Sequence, residues 1–505
     1  MCAPTGTKRP RQSTMEGFAK KRPNTTDHAV LQGEQLDVLR AVIDNKQNVF
    51  FSGKAGTGKS LTLRQIITSL KSIYKKENEI AITAPTGLAA INIGGDTIHT
   101  WGGIGYGLGT AEELVKGLNG IQRKRWRGCK VLILDEISMV EARLLDKLGE
   151  MAKALRKSDV LWGGIQLVFS GDFFQLPPVP RDRSDKPPFA FSSETWKLID
   201  QQIELKTVYR QRDLGLKKIL DDVRYANLSK ATINLLTMID RPPRTAPSAP
   251  STEPALAPVL TSTREEADRE NTSRLNKLPG NVMVYDAVDT INRPWDASIF
   301  RGVLAPKRLV VKAEAQVMLV KKIGDDLVNG TMGRILGFDY PQTFRAVSGQ
   351  WVRDEEDESI EDEQERKKEM VGRRVKKEKL VAEGEAQQYP VVRFVYGAKE
   401  GTVDVLVKPD RIEMEDAKGG LKGVRKQVPL MLSWAMSIHK AQGMTLHSVI
   451  VDVSRCFAPG HVYVALSRAT SILRLQVKGF NKEKVKVDPR VMAWARTWMD
   501  IPPQV

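Results

Sequence analysis

The chain has 505 residues and a formal net charge of +17, from 78 lysines and arginines against 61 aspartates and glutamates. Its length predicts two to four domains, and no apolar run approaches the roughly 20 residues that a membrane-spanning helix needs. Its three cysteines lie far apart, which argues against a disulfide scaffold or a zinc protein, while the positive charge favours a polyanionic partner such as nucleic acid.

Residues 1–29 are polar and basic with little apolar periodicity, and we predict a disordered tail. Two basic clusters, at residues 8–11 and 20–23, resemble a bipartite nuclear import signal. A mitochondrial presequence is the weaker alternative, because the tail lacks a clear amphipathic apolar face.

Between these clusters the tail resembles the sliding-clamp-binding box, with Gln12, Met15 and Phe18 at its anchor positions. Ala19 stands where that box has a second aromatic residue. A short segment of this kind would fold on binding and insert its apolar side chains into a pocket. The sequence is equally compatible with an inert tail and a chance match.

Residues 53–60 match the pattern G-x-x-x-x-G-K-[ST], whose backbone N–H groups surround nucleotide phosphates. An apolar run at 48–51 predicts a buried strand before this loop, and residues 61–70 predict a helix whose positive N-terminal end favours phosphate. We expect Lys59 to reach the β- and γ-phosphates and Ser60 to bind Mg²⁺. The predicted nucleotide contacts are Gly53, Ala55, Gly56, Thr57, Gly58, Lys59 and Ser60. The loop alone suits a kinase, a GTPase or a motor.

From about 30 to 203 strands alternate with helices, which predicts an α/β domain with a parallel sheet covered on both faces. Beyond residue 315 short strands with turn signals predict a small β domain, and the α/β pattern returns at 429–480. Residues 242–258 predict a surface loop, and the densely charged stretch 353–385 predicts a solvated insertion.

The run 131–136 is an apolar strand candidate that ends in two carboxylates, Asp135 and Glu136. In a P-loop ATPase the first carboxylate holds Mg²⁺ through water and the second polarises the attacking water, so Glu136 is the candidate general base. Gln175, at the end of another strand candidate, is a candidate sensor of hydrolysis. Arg210 and Arg468 end apolar segments, from which an arginine could cross a domain cleft and neutralise the transferred phosphoryl group. The candidate catalytic residues are Lys59, Asp135, Glu136, Gln175, Arg210 and Arg468.

These segments, in this order, resemble the motifs of the PIF (petite integration frequency) family, a branch of the superfamily-one, RecD-like DNA helicases. The resemblance covers about 30–480, and the stretch 144–164 resembles the signature that separates this branch from RecD proper. The matching motifs lie at 53–60, 135–139, 163–166, 171–179, 437–443 and 463–469. The resemblance implies an α/β fold of two RecA-like P-loop NTPase domains with small inserted domains, including a small β-barrel.

The resemblance also implies domain boundaries. We expect the first RecA-like domain at 30–203, with a small wedge region near 97–125. The second would comprise 204–330 and 429–485, interrupted by the β-barrel at 331–428. A C-terminal helix and tail would occupy 486–505.

The resemblance assigns roles to single residues as well. ATP is the implied cofactor, with adenine recognition on Gln35 and a further nucleotide contact at Gly443, and Mg²⁺ is held by Ser60 and Asp135. Stabilisation of the γ-phosphate falls on Arg210 and Arg468. The implied DNA contacts are Thr86, His99, His439 and Lys440.

Two positions depart from the usual family pattern. Trp101 stands where a phenylalanine is usual, and it is a candidate for stacking on bases or wedging at a junction, with buried packing as the alternative. His461 replaces a more usual glutamine.

The resemblance implies an ATP-dependent helicase that moves 5′-to-3′ on single-stranded DNA and unwinds duplex or structured DNA at single/double-strand junctions. Separately, we expect a monomer, and we expect no membrane partner because no apolar run is long enough to span a bilayer. It implies work in DNA repair, recombination, replication and telomere or mitochondrial DNA maintenance, in the nucleus and also the mitochondrion. Two alternatives stay open: a DNA-stimulated translocase that remodels protein–DNA complexes, and a clamp-tethered binding module that uses ATP as a switch.

Overall fold

The structure is a computed structural model. It describes residues 31–76, 78–180, 186–209, 213–242, 257–292, 297–300, 303–324, 327–341, 344–347, 350–353, 387–396, 401–415 and 421–501. The predicted tail, residues 243–256 of the loop predicted at 242–258, most of the charged stretch and Arg210 lie outside these ranges.

The first part of the chain forms a six-stranded sheet in which every paired strand is parallel, in the order β3-β2-β4-β5-β1-β6. Its strands are β1 Val49–Gly53, β2 Ile80–Ala84, β3 Asp96–Thr97, β4 Val131–Leu134, β5 Gln166–Ser170 and β6 Gln201–Leu205. Its helices are α1 Glu34–Ile43, α2 Lys59–Ile73, α3 Gly87–Asn92, α4 Ile98–Gly102, α5 Ala111–Gly117, α6 Gly120–Gly128 and α7 Ala142–Arg156. The predicted strands and the helix after the glycine loop are confirmed.

Continuous apolar strands place side chains on both faces of this sheet, because successive residues of a strand point to opposite sides. Val131 and Ile133 of β4 join the core under α1 and α2, whereas Leu132 and Leu134 join the core under α7. The sheet is therefore buried on both faces, and its functional loops gather at the carboxyl ends of its strands.

The second α/β part begins with α8 Leu214–Arg224, α9 Lys230–Met238, β7 Val259–Thr261 and α10 Arg264–Lys277. It resumes near the C-terminus with β20 Ala435–Ser437, β21 Val449–Asp452 and β22 Leu475–Lys478, after the inserted strands described next. The four strands pair in parallel in the order β20-β7-β21-β22. A strand from before the insertion thus lies between two strands from after it, as expected for one domain that is interrupted by another.

The described residues of the segment between these two halves form twelve strands and one short 3₁₀ helix, Ala297–Phe300. Its strands are β8 Met283–Asp286, β9 Val288–Ile291, β10 Arg308–Val311, β11 Gln316–Leu319, β12 Met332–Asp339, β13 Phe344–Val347, β14 Gln350–Arg353, β15 Tyr389–Tyr396, β16 Gly401–Leu406, β17 Asp410–Glu415, β18 Leu421–Gln427 and β19 Leu430–Leu432. Seven form an antiparallel sheet in the order β13-β14-β16-β15-β12-β11-β19. Within the described residues this order is open at both ends, so pairing does not close the expected barrel. We propose that the inserted domain spans about 283–432 rather than 331–428.

The chain then returns with β20 Ala435–Ser437, α11 Ile438–Ala441, β21 Val449–Asp452, α12 His461–Leu466, β22 Leu475–Lys478 and α13 Pro489–Ala495. Helix α13 packs on the first domain, because Trp494 stacks on Phe191 with ring centroids 4.6 Å apart and lies 5.0 Å from Phe173. The expected C-terminal helix therefore packs across onto the first domain. None of the helices in the described part of the chain is long and apolar enough to span a membrane.

Candidate functional site

The glycine loop connects β1 to α2 and is fixed by contacts of its own residues. Lys59 Nζ donates to the carbonyls of Gly53 at 2.6 Å and Lys54 at 3.2 Å. Gly58 has a φ of +87°, and a Cβ there would lie 2.5 Å from Gln35 Nε2. The left-handed backbone favours glycine at this position, and any side chain here would displace the Gln35 amide.

Gln35 and Tyr209 lie against this loop. The Gln35 side chain is buried, and its Nε2 donates to the Thr57 carbonyl at 3.1 Å. The Tyr209 backbone N–H donates to the Gly56 carbonyl at 2.8 Å, and its ring is 47% exposed. The predicted adenine contact thus lies against the loop, and the neighbouring Tyr209 was not among the predicted site residues.

The two acids follow β4 directly. Glu136 has a φ of +51°, and a non-glycine residue in this left-handed region is a form of strain that clusters at functional sites. Burial, and then the neighbouring Asp135 carboxylate, raise the pKa of Glu136 to about 7. Burial also raises the pKa of Asp135. The Lys59 ammonium opposes both shifts, so the three charged groups share one poorly solvated site.

Ser60 and Asp135 line one cavity and offer a hydroxyl oxygen and a carboxylate oxygen. Mg²⁺ prefers hard oxygen ligands and is often held by one or two protein oxygens together with water and substrate phosphates. The residues present therefore fit the cation that the sequence predicts. Asp135 is also the group whose ionised form such a cation would favour, against the effect of burial.

Gln175 lies in the loop after β5 and is hydrogen-bonded to Asp172, which forms a buried ion pair with Arg224. Its backbone N–H donates to the Asp172 carbonyl at 2.9 Å, and its Nε2 lies 3.4 Å from Asp172 Oδ2. Arg224 of α8 forms a 3.0 Å ion pair with Asp172, and both side chains are fully buried. Burial alone would raise the pKa of Asp172, but the Arg224 and Lys59 charges hold it below its usual range.

Arg224 was missed by sequence reasoning, because an arginine at the end of an amphipathic helix predicts a solvated residue. Its guanidinium lies over the Phe174 ring, 4.4 Å from the centroid. No local pattern around residue 224 indicates a buried partner that is 52 residues away.

Residues of the second domain contact the site across the cleft. Tyr463 Oη accepts a hydrogen bond from the Ala55 N–H of the glycine loop at 2.9 Å. Gln442 Nε2 donates to Glu136 Oε2 at 2.9 Å. The motifs that contain Tyr463 and Gln442 were recognised in the sequence, but neither residue was chosen as a site residue.

Arg468 and Gly443 belong to the same side of the cleft. The Arg468 guanidinium is buried and donates to the carbonyls of Ala441 at 3.3 Å and Met444 at 3.2 Å. These carbonyls bracket the turn that presents Gln442. In this structure Arg468 therefore positions that turn, and its expected contact with a γ-phosphate stays a prediction.

One cavity of about 320 Å³ joins the predicted nucleotide and nucleic-acid residues. It is lined by Ser60, Arg64, Thr86, Leu88, Ala89, Asn92, Ile93, Asp135, Glu136, Met139, Val328, Asn329, His439, Gln442, Gly443, Met444 and Thr445. The predicted metal ligands, the predicted base and two predicted DNA contacts are thus neighbours.

The predicted DNA contacts have different surroundings. Thr86 caps α3 by accepting from the Ala89 N–H at 3.3 Å. His439 is exposed on α11 beside half-buried Lys440, whose pKa is lowered by burial and by nearby Arg264. Half-buried His99 lies in α4, on the first domain.

Trp101 has a packing role. Its side chain is 3% exposed, and its ring centroid lies 4.5 Å from that of Trp126. The ring is therefore not available to stack on a base, and the prediction of a DNA contact at Trp101 is corrected to the alternative of buried packing. Arg210 and the tail residues Gln12, Met15 and Phe18 lie outside the described residues.

A parallel sheet with a glycine loop after β1, two acids after β4 and a second parallel domain closing over them defines a P-loop NTPase of the two-domain motor class. A family model described as PIF1-like helicase matches residues 30–233. The chain is 39% identical to the ATP-dependent DNA helicase PIF1 of Emericella nidulans, over 96% of this chain and 66% of that protein. It is 38% identical to the ATP-dependent DNA helicase RRM3 of Saccharomyces cerevisiae, over 92% of this chain and 67% of that protein.

Among solved structures, the Pif1 helicase of Candida albicans aligns with a TM-score of 0.64 at 38% identity, over 93% of this chain and 98% of that one. The Bacteroides Pif1 structure in complex with ADP-AlF4 aligns with a TM-score of 0.66 at 23% identity and supports the fold. The chain belongs to the PIF1-like helicase family. It spans about two thirds or less of the length of several curated relatives, 66% for the Emericella protein and 61% for a Saccharomyces cerevisiae PIF1.

Proposed function

We propose that this protein is an ATP-dependent DNA helicase that moves 5′-to-3′ on single-stranded DNA and unwinds duplex or structured DNA. The observation that carries the proposal is the shared cavity, which brings Glu136 together with Thr86 and His439. Relatives at 38–39% identity are named ATP-dependent DNA helicases, and the net charge of +17 suits a polyanion.

In the proposed mechanism the glycine loop and Lys59 bind the phosphates of ATP, Ser60 and Asp135 hold Mg²⁺, and Gln35 and Tyr209 flank the base. Mg²⁺ supplies charge stabilisation on the phosphates when bound. Glu136 accepts a proton from the attacking water, and Gln175 orients that water. Arg468 and Arg210 are proposed to stabilise the transferred phosphoryl group.

The second domain provides the link to movement. Gln442 is hydrogen-bonded to Glu136, and Tyr463 is hydrogen-bonded to Ala55 of the glycine loop. A movement of the nucleotide site during hydrolysis would therefore move the turn that follows α11. That helix also carries His439 and Lys440. Opening and closing of the cleft would therefore shift the grip on the strand, which is how two packed domains convert hydrolysis into steps.

Two assays test the proposal. ATP hydrolysis should rise when single-stranded DNA is added, and strand displacement should occur on a duplex with a 5′ tail but not on one with a 3′ tail. Hydrolysis that ignores DNA would contradict both motor functions and favour the ATP-switched module. Stimulated hydrolysis without strand displacement would favour the translocase.

The wedge region expected near 97–125 contains a loop tip with two exposed side chains, Tyr106 and Leu108. The loop at 103–109 has a glycine at every second position, and Tyr106 and Leu108 between them are 78% and 61% exposed. Lys147 Nζ donates to the Gly107 carbonyl at 2.9 Å and fastens the loop to α7. We propose that this tip is the wedge that separates paired strands, since an apolar side chain can replace a neighbouring base in a stack.

Replacing Tyr106 and Leu108 with alanine should slow strand displacement by about fivefold or more, because one lost base–aromatic stack is worth about 1–3 kcal/mol. DNA-stimulated hydrolysis should fall much less, and the ratio of unwinding to hydrolysis measures the difference. Val160→Ala, 59% exposed on the same domain, is the matched control. Equal losses of both activities would show that the tip is not a wedge.

For the tail we propose nuclear import through the basic clusters at 8–11 and 20–23, and binding of a sliding clamp through Gln12, Met15 and Phe18. The support is the sequence pattern alone. Phe18→Ala should weaken clamp binding measured by calorimetry, because the aromatic anchor is lost. Phe18→Trp is the control, and clamp affinity that is the same for all three proteins would remove the clamp from the proposal.

A further inference from the structure

Widely exposed aromatic rings are few in the described part of the chain. Among the large apolar and aromatic side chains that are exposed there, the rings are those of Tyr106, Tyr209 and Phe457. Tyr106 belongs to the proposed wedge and Tyr209 to the nucleotide site. Phe457, which is 59% exposed, has no role in either place.

Phe457 is the outer member of a row of three rings. Its centroid lies 4.8 Å from that of His461, and the His461 centroid lies 5.8 Å from that of His439. His439 lines the cavity, and His461 is buried. The row therefore runs from the cleft to the surface of the second domain.

The segment that carries Phe457 is held firmly. The Cys456 N–H donates to the Val453 carbonyl at 3.0 Å, and the Gly460 N–H donates to the Lys486 carbonyl at 3.1 Å. Gly460 has a φ of +77°, and a Cβ there would lie 2.2 Å from the Gln175 carbonyl oxygen. The loop that carries Phe457 is thus held on both sides of the ring, and it contacts the loop of the proposed hydrolysis sensor.

The neighbouring segment is basic. Residues 482–486 contain three lysines and one glutamate, and the Lys486 carbonyl bond to Gly460 places this segment beside Phe457. Asp452, an acid near the ring in sequence, is paired with Arg455 at 3.0 Å. Three lysines against Glu483 therefore give the segment 482–486 a net positive charge, which suits phosphates.

We infer that Phe457 is a stacking platform for one unpaired base of the DNA strand, with phosphates of that strand along residues 482–486. The inference rests on the proposed function, because it extends the path of the strand outward from His439. Sites for single strands combine an aromatic face for a base with basic side chains for the backbone, and they need no sequence preference. Because Gly460 of the same loop contacts Gln175, the proposed base would lie close to the proposed hydrolysis sensor.

The test compares two strands of equal length, an oligo-dT strand and a strand of abasic sugar phosphates, by fluorescence anisotropy with the full chain. Phe457→Ala should weaken oligo-dT binding by about fivefold or more and leave abasic binding unchanged, because only bases can stack. Phe457→Trp should retain oligo-dT affinity, since it keeps an aromatic face. Leu473→Ala, 48% exposed on the same domain, is the control and should bind both strands as the wild type does.

Each other result has a definite meaning. If Phe457→Ala binds both strands as the wild type does, or loses both equally, the platform is refuted while the helicase proposal stands. If the Trp and Ala variants lose oligo-dT affinity alike, the ring makes a shape-specific contact, such as one with a protein, and the inference is wrong. Wild-type protein that binds neither strand would overturn the proposed function and this inference with it.

Discussion

Lys59→Ala should lower ATP hydrolysis by about 100-fold or more, the scale on which removing one preorganised charge stabiliser reduces turnover. The ammonium is fixed in the mouth of the loop by the Gly53 and Lys54 carbonyls. Burial lowers the pKa of Lys59, while the carboxylates of Asp172 and Glu136 oppose that shift and favour the charged form. Without this charge, the carboxylates would repel the phosphates of ATP with no lysine ammonium between them to offset the repulsion.

DNA affinity should survive the Lys59→Ala change, because the proposed DNA contacts lie on other segments. Lys54→Ala is the matched control: the Lys54 ammonium pairs with Asp221 at 2.7 Å, away from Lys59. We expect a far smaller loss of hydrolysis from it. Near-normal turnover in Lys59→Ala, or an equal loss in Lys54→Ala, would refute the role assigned to Lys59.

Arg224→Met should lower the free energy of unfolding by about 3–5 kcal/mol, because it leaves the Asp172 carboxylate buried without its partner. Both side chains are fully buried, so water cannot replace the guanidinium. The Gln175 backbone N–H donates to the Asp172 carbonyl, so a disturbance at Asp172 would move Gln175. ATP hydrolysis should therefore fall as well. Chemical denaturation followed by tryptophan fluorescence measures the change.

Arg40→Met is the control for this pair, since Arg40 and Asp37 form an ion pair at the surface with both side chains more than 60% exposed. Such exposed pairs contribute about 0–1 kcal/mol. The double variant Asp172→Asn with Arg224→Met should recover part of the lost stability, because it removes the stranded charge. If Arg224→Met unfolds no more easily than Arg40→Met, the buried pair does not support the loop.

The parts of the site that sequence predicted well are those in which local order fixes both structure and chemistry. The glycine loop needs left-handed backbone at Gly58 and a strand and a helix on either side, and all of these are visible within 25 residues. Asp135 and Glu136 follow an apolar run of four residues, so their place at the end of a buried strand could be predicted from that run alone. The α/β class could be predicted from alternating strands and helices, whereas the two RecA-like domains were what the family resemblance implied.

Other parts could not be predicted because they depend on distant pairs. The sequence places the start of the inserted domain at 331; we propose about 283 instead, because β8 pairs with β10 and no local pattern shows that pairing. The sequence allowed either base stacking or buried packing for Trp101, and the structure shows it buried against Trp126. Gln442 and Tyr463 became site residues only when the second domain was placed over the first.

The sequence by itself determined the chemistry of the phosphate site, because that chemistry depends on residue types at short fixed spacings along one loop and one strand end. Only the tertiary structure decided how the site is completed: Arg224 buried against Asp172, Gln442 bonded to Glu136 and Phe457 raised beside a basic segment. The first two of these contacts join residues that are 52 and 306 positions apart along the chain. Burial of apolar side chains and the pairing of strands across the insertion bring these distant residues together. No local sequence pattern predicts which distant residues meet.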